Sequence, residues 1–264
     1  MDRLELPNAV VRGPLVEFST HTALVRLPTG GAVLVDSTGV VAVDVAADGD
    51  HADVIAALAA PAAGAAALLA GRFAVRASAV SVAGGIGGSG AVVIGAVAAG
   101  GASTATAALG GRGHLVLSDG VTVLHGSPLM VTAHGGDVDL WPDSAVALGL
   151  RAADGVVIRN GLTKHRFTLA AAAAVRAVPL AAVVQLELVN RELDPLAYVL
   201  GGAEAVDVVL TLMWHRWALA GLGREAAALA WAVQVAQANA VMRVVVSRRS
   251  DPCLMAEFVE RVFT

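Results

Sequence analysis

Lysine is nearly missing from this chain. Lys164 is the single lysine in 264 residues, and since lysine and arginine together number 18, the remaining 17 are arginines. The imbalance reads as codon bias in a GC-rich genome, but it leaves little for any chemistry that needs an ammonium group. Cysteine is equally scarce. Cys253 stands alone, so no intrachain disulfide can form, which suits a reducing cytoplasm. Aromatic residues make up 4% of a chain that is 56% hydrophobic, so any core is built mainly of Ala, Val and Leu. Charged residues reach only 15%, and the net charge of −4 argues against nonspecific binding to nucleic acid. The opening MDRLELPNAV lacks the charged-then-apolar order of a signal sequence. The seven histidines, at 21, 51, 114, 125, 134, 165 and 215, form no His-x-His or His-x-x-x-His pair. With no cysteine to join them, no metal site is expected.

Two uncharged runs, 54–71 and 77–111, are long enough to raise the question of a membrane. The first contains Pro61 and is mostly Ala, and the second is interrupted by many Gly and several Ser and Thr. Ala and Gly contribute little insertion energy, so a soluble, cytoplasmic protein with no membrane span is expected.

Residues 14–47 read as antiparallel β structure, with β-branched runs at 23–27, 32–35 and 40–45 separated by Pro, Gly and Asp clusters. Asp53 is placed to cap a helix running to about Leu69, bent or split near Pro61. Further strands are expected at 121–125, 129–133, 155–159, 181–188 and 242–246. A short helix is expected from Asp143 or Ser144 to Gly149. Longer ones should span 204–217 and 224–239, and Asp251-Pro252 opens a last one with Leu254, Phe258 and Val262 as its stripe. Strands interleaved with helices make an α/β core.

The most informative stretch is 91–120. An apolar strand, 91–94, enters the Gly-rich turn GAVAAGGAST at 95–104. An Ala-rich helix follows, then a second strand, 115–117, ending in Ser118-Asp119-Gly120. This is the strand–loop–helix–strand order of a P-loop protein. Backbone N–H groups at such a helix start suit an anion, with Gly95, Gly100, Gly101, Ser103 and Thr104 as the residues that would hold it. A working loop also needs a lysine on the β- and γ-phosphates and a hydroxyl beside it for Mg²⁺. The positions where that lysine would fall hold Gly101 or Ala102. An Asp beside a Gly at a strand end more often caps a turn than binds a metal, and Asp119 is read that way here. Trp214 and Trp217, three residues apart on one expected helix, share a face suited to packing or to a partner.

Taken in order with LWPDSAVALGL at 140–150 and KHRF at 164–167, this core resembles the HPr kinase-like family, in the branch found beside peptide natural-product genes. The resemblance runs from about residue 73 to the C-terminus, including MRVVVSRRSDPCLMAEFVERVF. It implies an α/β fold: a P-loop, HPr kinase C-terminal-like core of mixed sheet and helices over 73–264, behind a small N-terminal α+β lobe over 1–72. Carried over by residue, Arg76-Ala77 stands where family kinases have His-Ala or His-Gly. Gly95 and Gly100 match the loop, its lysine is lost, and Ser103-Thr104 stand one step out of register. Asp119 matches the first of paired aspartates, one of which serves as general base, and Gly120 replaces the second. Lys164 and Arg166 match a retained basic segment.

Departures gathered on the reaction centre, with the apolar framework kept, resemble a pseudoenzyme. The expectation is a non-catalytic, peptide-binding protein without cofactor or metal. It would bind or present the precursor peptide of a ribosomally made natural product to other biosynthetic enzymes, the peptide adding as a strand to an exposed sheet edge of the first lobe. Dimerisation through the apolar helices near Trp214 would accompany this. The alternative is an unorthodox peptide Ser/Thr phosphotransferase. In it, Mg-ATP lies on the backbone of 95–104, Asp119 holds the metal, and Lys164 or Arg166 supplies the missing charge.

Overall fold

The computed structural model describes residues 4–46, 49, 51–85, 88–96, 100–159, 161–169 and 177–263. Residues 97–99 of the Gly-rich turn therefore lie outside the described residues. The short β-branched runs at the front fold as expected into a meander: β1 (Val11–Arg12), β2 (Val16–Phe18), β3 (Thr22–Arg26), β4 (Gly31–Asp36) and β5 (Gly39–Val45). They pair in sequence, all antiparallel, as one five-stranded sheet. Gly31 shows why the turn into β4 needs glycine. Its φ is 96°, and a Cβ there would stand 2.2 Å from the Asp44 carbonyl oxygen.

A single apolar rod follows: α1 (His51–Ala57), a π-helical turn (Leu58–Ala62) and α2 (Ala63–Leu69). Pro61 cannot donate to the i−4 carbonyl and crowds it, and the helix absorbs this as a π-turn rather than a break. The rod is long and apolar enough to cross a membrane, yet Ala57, Ala62, Ala65, Ala67 and Leu68 are buried in the core against sheet residues. Asp53 does not cap it. From the first turn of α1 its carboxylate accepts the Thr29 N–H at 3.0 Å and the Thr29 hydroxyl at 2.6 Å, tying helix to the β3–β4 turn.

The rest is a mixed α/β assembly. In chain order come β6 (Phe73–Val75), β7 (Ala77–Gly85), β8 (Gly88–Ala96), α3 (Ala102–Gly111), β9 (Leu115–Ser118), β10 (Thr122–His125) and β11 (Met130–Thr132). After them lie β12 (Asp137–Leu140), α4 (Pro142–Ala147), β13 (Val156–Val157), β14 (His165–Thr168) and β15 (Ala177–Val189). The chain closes with β16 (Leu196–Leu200), α5 (Gly202–Leu212), α6 (Glu225–Ala238), β17 (Ala240–Ser247) and α7 (Pro252–Phe263). Nine strands form the main sheet in the order β6-β10-β11-β15-β8-β7-β9, with β17 on β15 and β16 outside β17. Its centre is parallel, β8 and β17 both running with β15, and its wings are antiparallel. β12, β14 and β13 make a small third sheet.

Alternation along the central strands gives the sheet two dry faces. Val93 and Val183 point into one cluster with α1–α2, α5, α6 and the front sheet; Ile94 and Val184 point into another with α3 and α7. On α7 the buried line is Met255, Val259 and Phe263, one residue on from the expected stripe, and Leu254 is left exposed. The helix expected to reach Trp217 stops at Leu212. His215 takes a left-handed φ of 48°, so Trp214 and Trp217 are not on one helical face.

Candidate functional site

The three parallel strands finish at one cleft. Ala96 of β8, Leu188 of β15 and Ser247 of β17 line it, in a volume of about 900 Å³, and the crevice past the carboxyl ends of such strands is where α/β sheets bind ligands. The cleft starts at α3. Gly101, with φ of 84°, turns the chain into the helix, and a Cβ on it would press to 3.1 Å from Leu188. Trp141, Asp143 and Ser144 come from the start of α4, Lys164 from the approach to β14, Arg76 from between β6 and β7, and Arg248 and Arg249 from the exit of β17.

Most of the residues expected to matter converge here. Gly100, Gly101, Ser103, Thr104 and Lys164 line the cleft. Asp119 and Arg166 line an adjoining chamber of about 160 Å³ that shares Ser103, Gly120, Asp139 and Lys164 with it. Gly95 does not belong. It lies inside β8, where a Cβ would stand 2.4 Å from Leu212 of α5, so it is a packing glycine rather than part of a cradle.

The carboxyl group of Asp119 holds several elements together instead of capping a turn. Its Oδ1 accepts a short hydrogen bond from the Ser78 hydroxyl of β7, and its Oδ2 accepts the Asp139 N–H of β12 at 3.0 Å. Ser103 of α3 also bonds to it. The residue as a whole is half-buried, yet loss of water around its carboxyl is the largest influence and pushes its pKa up against those three donors. Both oxygens are taken, and burial favours the neutral acid. As arranged, this group is not an open ligand for Mg²⁺.

Arg166 is equally committed. Its guanidinium donates to both oxygens of Asp139, at 2.8 and 3.0 Å, and these bonds, ahead of any other influence, hold its pKa above the usual value. Thr104 donates to the Ser144 hydroxyl at 2.9 Å, linking α3 to α4. Lys164 is different. Its ammonium lies 5.2 Å from the centre of the Trp141 ring, a cation–π contact at the cleft wall.

Asp139, partner to both Asp119 and Arg166, was not singled out by sequence reasoning. Its signal was the alternation Asp137-Val138-Asp139-Leu140, which marks a half-buried strand with one polar face. Arg248 and Arg249, just past the end of β17, likewise carry no sequence pattern that marks them as site residues.

The charge of Arg76 also acts on a second cluster, around His215. Trp214 is buried edge-on against Phe18 of β2, centroids 6.5 Å apart, and Trp217 meets the same ring at 6.5 Å. Trp214 is therefore spent inside the molecule rather than offered to a second subunit. The Trp217 indole donates to His215 Nδ1 at 3.1 Å. Burial first, and the charge of Arg76 second, push the His215 pKa down to about 4.

No family model matches the sequence, and no curated protein does. Among solved structures, the Hpr(Ser) kinase/phosphatase from Coxiella burnetii is similar at 15% identity and a TM-score of 0.36, over 72% of this chain and 95% of that one. That degree of likeness says nothing of activity or substrate.

Proposed function

We propose that this chain is a kinase-like protein of the cytoplasm that binds a peptide without transferring phosphate, the peptide being the precursor of a ribosomally made natural product. The observation that carries this reading is the open edge of β5. The strand pairs only with β4 among the described residues, and Val40, Val41 and Val43 on it are 49%, 55% and 41% exposed. A β-branched strand with a free edge is a place for an added strand. Catalytic silence rests on the loop without lysine and on the full engagement of Asp119 and Arg166.

The test is calorimetric titration with any short precursor-like peptide found encoded beside the gene, using Val41→Pro as the variant. Val41 is the extra residue between the Val35–Val40 and Leu34–Ala42 pairs, a bulge on an edge strand where proline is tolerated while it disturbs the edge that an added strand would join. Binding that disappears in the variant supports the reading. Equal binding moves the site off β5, and no binding to the wild type ends the reading.

One observation favours the phosphotransferase as a second reading. Lys164 lines both the cleft and the chamber beside Ser103, placing an ammonium near the loop that lacks one. Here Mg-ATP would bind, and Lys164→Ala would abolish turnover. No heat of binding with Mg-ATP at millimolar concentration would remove this reading.

A further inference from the structure

The charges around the cleft are not balanced. Its lining carries four cations, Arg76, Lys164, Arg248 and Arg249, and three carboxylates, Asp139, Asp143 and Asp251. Asp139 is taken up by Arg166, and Asp251 accepts the Cys253 N–H at 2.7 Å as the cap of α7. Arg249 reaches Glu192 only at 3.8 Å, with both side chains more than 80% exposed (81% and 86%), so that pairing is weak. Arg248 donates to a neutral partner, Asn190, at 3.1 Å. Among the described residues, no carboxylate lies within 4.0 Å of the charged groups of Arg76, Lys164 or Arg248. Asp143 and Asp251 are left to oppose these cations, since the backbone N–H that Asp251 accepts does not neutralise it.

The placement of these cations matters as much as their number. None lies on the Gly-rich turn. They come from three places in the chain: ahead of β7, ahead of β14 and after β17. Charges spread around a rim suit negative groups spaced along an extended chain, whereas one compact polyphosphate needs them focused on the loop. Between them the lining is partly apolar, with Trp141, Leu188, Pro252 and Met255. That combination fits carboxylate side chains alternating with small apolar ones.

We infer that the cleft binds an acidic segment of the peptide, with Arg76, Lys164 and Arg248 reading its carboxylates. This rests on the peptide-binding reading but not on β5 as the edge that the peptide joins.

The experiment is fluorescence anisotropy at low ionic strength with two labelled peptides, one a Glu-Ala repeat and the other the matching Gln-Ala repeat. The Glu peptide should bind about tenfold more tightly or better, and lose that advantage as salt is added. Arg76→Gln and Arg248→Gln should each weaken it by about threefold to fivefold. Arg151→Gln should not, because Arg151 is exposed, paired with Asp154 and outside the cleft. Circular dichroism verifies that each variant is folded. Equal affinity for the two peptides overturns the inference, as does wild-type affinity in both cleft variants. So does inorganic pyrophosphate that binds while the Glu peptide does not, since the cleft is then a phosphate site. If the natural peptide binds but the Glu repeat does not, the cleft inference alone fails. If neither binds, the peptide-binding reading fails with it.

Discussion

Arg166 and Asp139 face each other directly across the β12–β14 pair, joined by two parallel hydrogen bonds of 2.8 and 3.0 Å. The same Asp139 offers its backbone N–H to Asp119, so the pair also fixes the acceptor beneath the Gly-rich turn. Arg166→Lys keeps the charge and loses the fork. It should destabilise the protein by about 1–2 kcal/mol, read as a lower urea midpoint. Combined with Asp139→Asn, the loss should fall short of the sum of the two single losses.

Asp119→Ala removes one acceptor shared by Ser78, Ser103 and the Asp139 N–H. Stranding those donors should cost about 2 kcal/mol, seen as a fall in thermal midpoint. Asp119→Asn, a closer replacement, should leave the proposed peptide binding unchanged. A folded Asp119→Asn protein that has lost its peptide would count against a merely structural role for this group.

His215 makes stability depend on acid. Its folded pKa is about 4 against an ordinary value of 6.5, so between those limits the unfolded chain binds the proton and the native one does not. Stability therefore rises with pH through this window and falls as pH is lowered from about 6.5 towards 4. Asn tolerates the left-handed backbone of this position. His215→Asn should thus flatten that slope, measured as thermal midpoints between pH 7 and pH 4, and an unchanged slope would show that other groups set it.

Gly95→Ala should destabilise by about 1–3 kcal/mol, the usual cost of overpacking, because its new methyl group meets Leu212. Leu212→Val in the same protein should recover part of the loss. If the glycine served an anion instead, shortening Leu212 would not help.

What the sequence discloses is mostly local. The strand before residues 97–99 and helix α3 after them are legible because an apolar run and an Ala-rich stretch lie on either side of a Gly-rich segment, and Asp251-Pro252 marks α7 through its own cap. The slip of one residue in the α7 stripe has a physical cause. Leu254 looks buried by its composition, but the helix turns Met255 inward beneath α3 and leaves Leu254 at 61% exposure. β12 and β16 are short, and β16 has no strongly alternating pattern to announce it. The pairing of Arg166 with Asp139 spans 27 residues and exists only because two strands of the third sheet meet. Gly95 is ambiguous in the sequence for the same reason: a glycine in a strand and a glycine in a cradle look alike until α5 is laid against it.

Phe18, Val25 and Val33 of the front sheet lie in one continuous core with Ala65 and Leu68 of α2, Val93 of β8 and Trp214 beyond α5. The first 72 residues are thus not a detachable handle. A truncation after Gly71 would strip both sides of their shared interior, leaving a sticky remnant rather than a smaller folded domain. It also sets where this sequence is free to drift. Ala102 or Asp143 can change without touching that seam, but Phe18 and Trp214 can change only together.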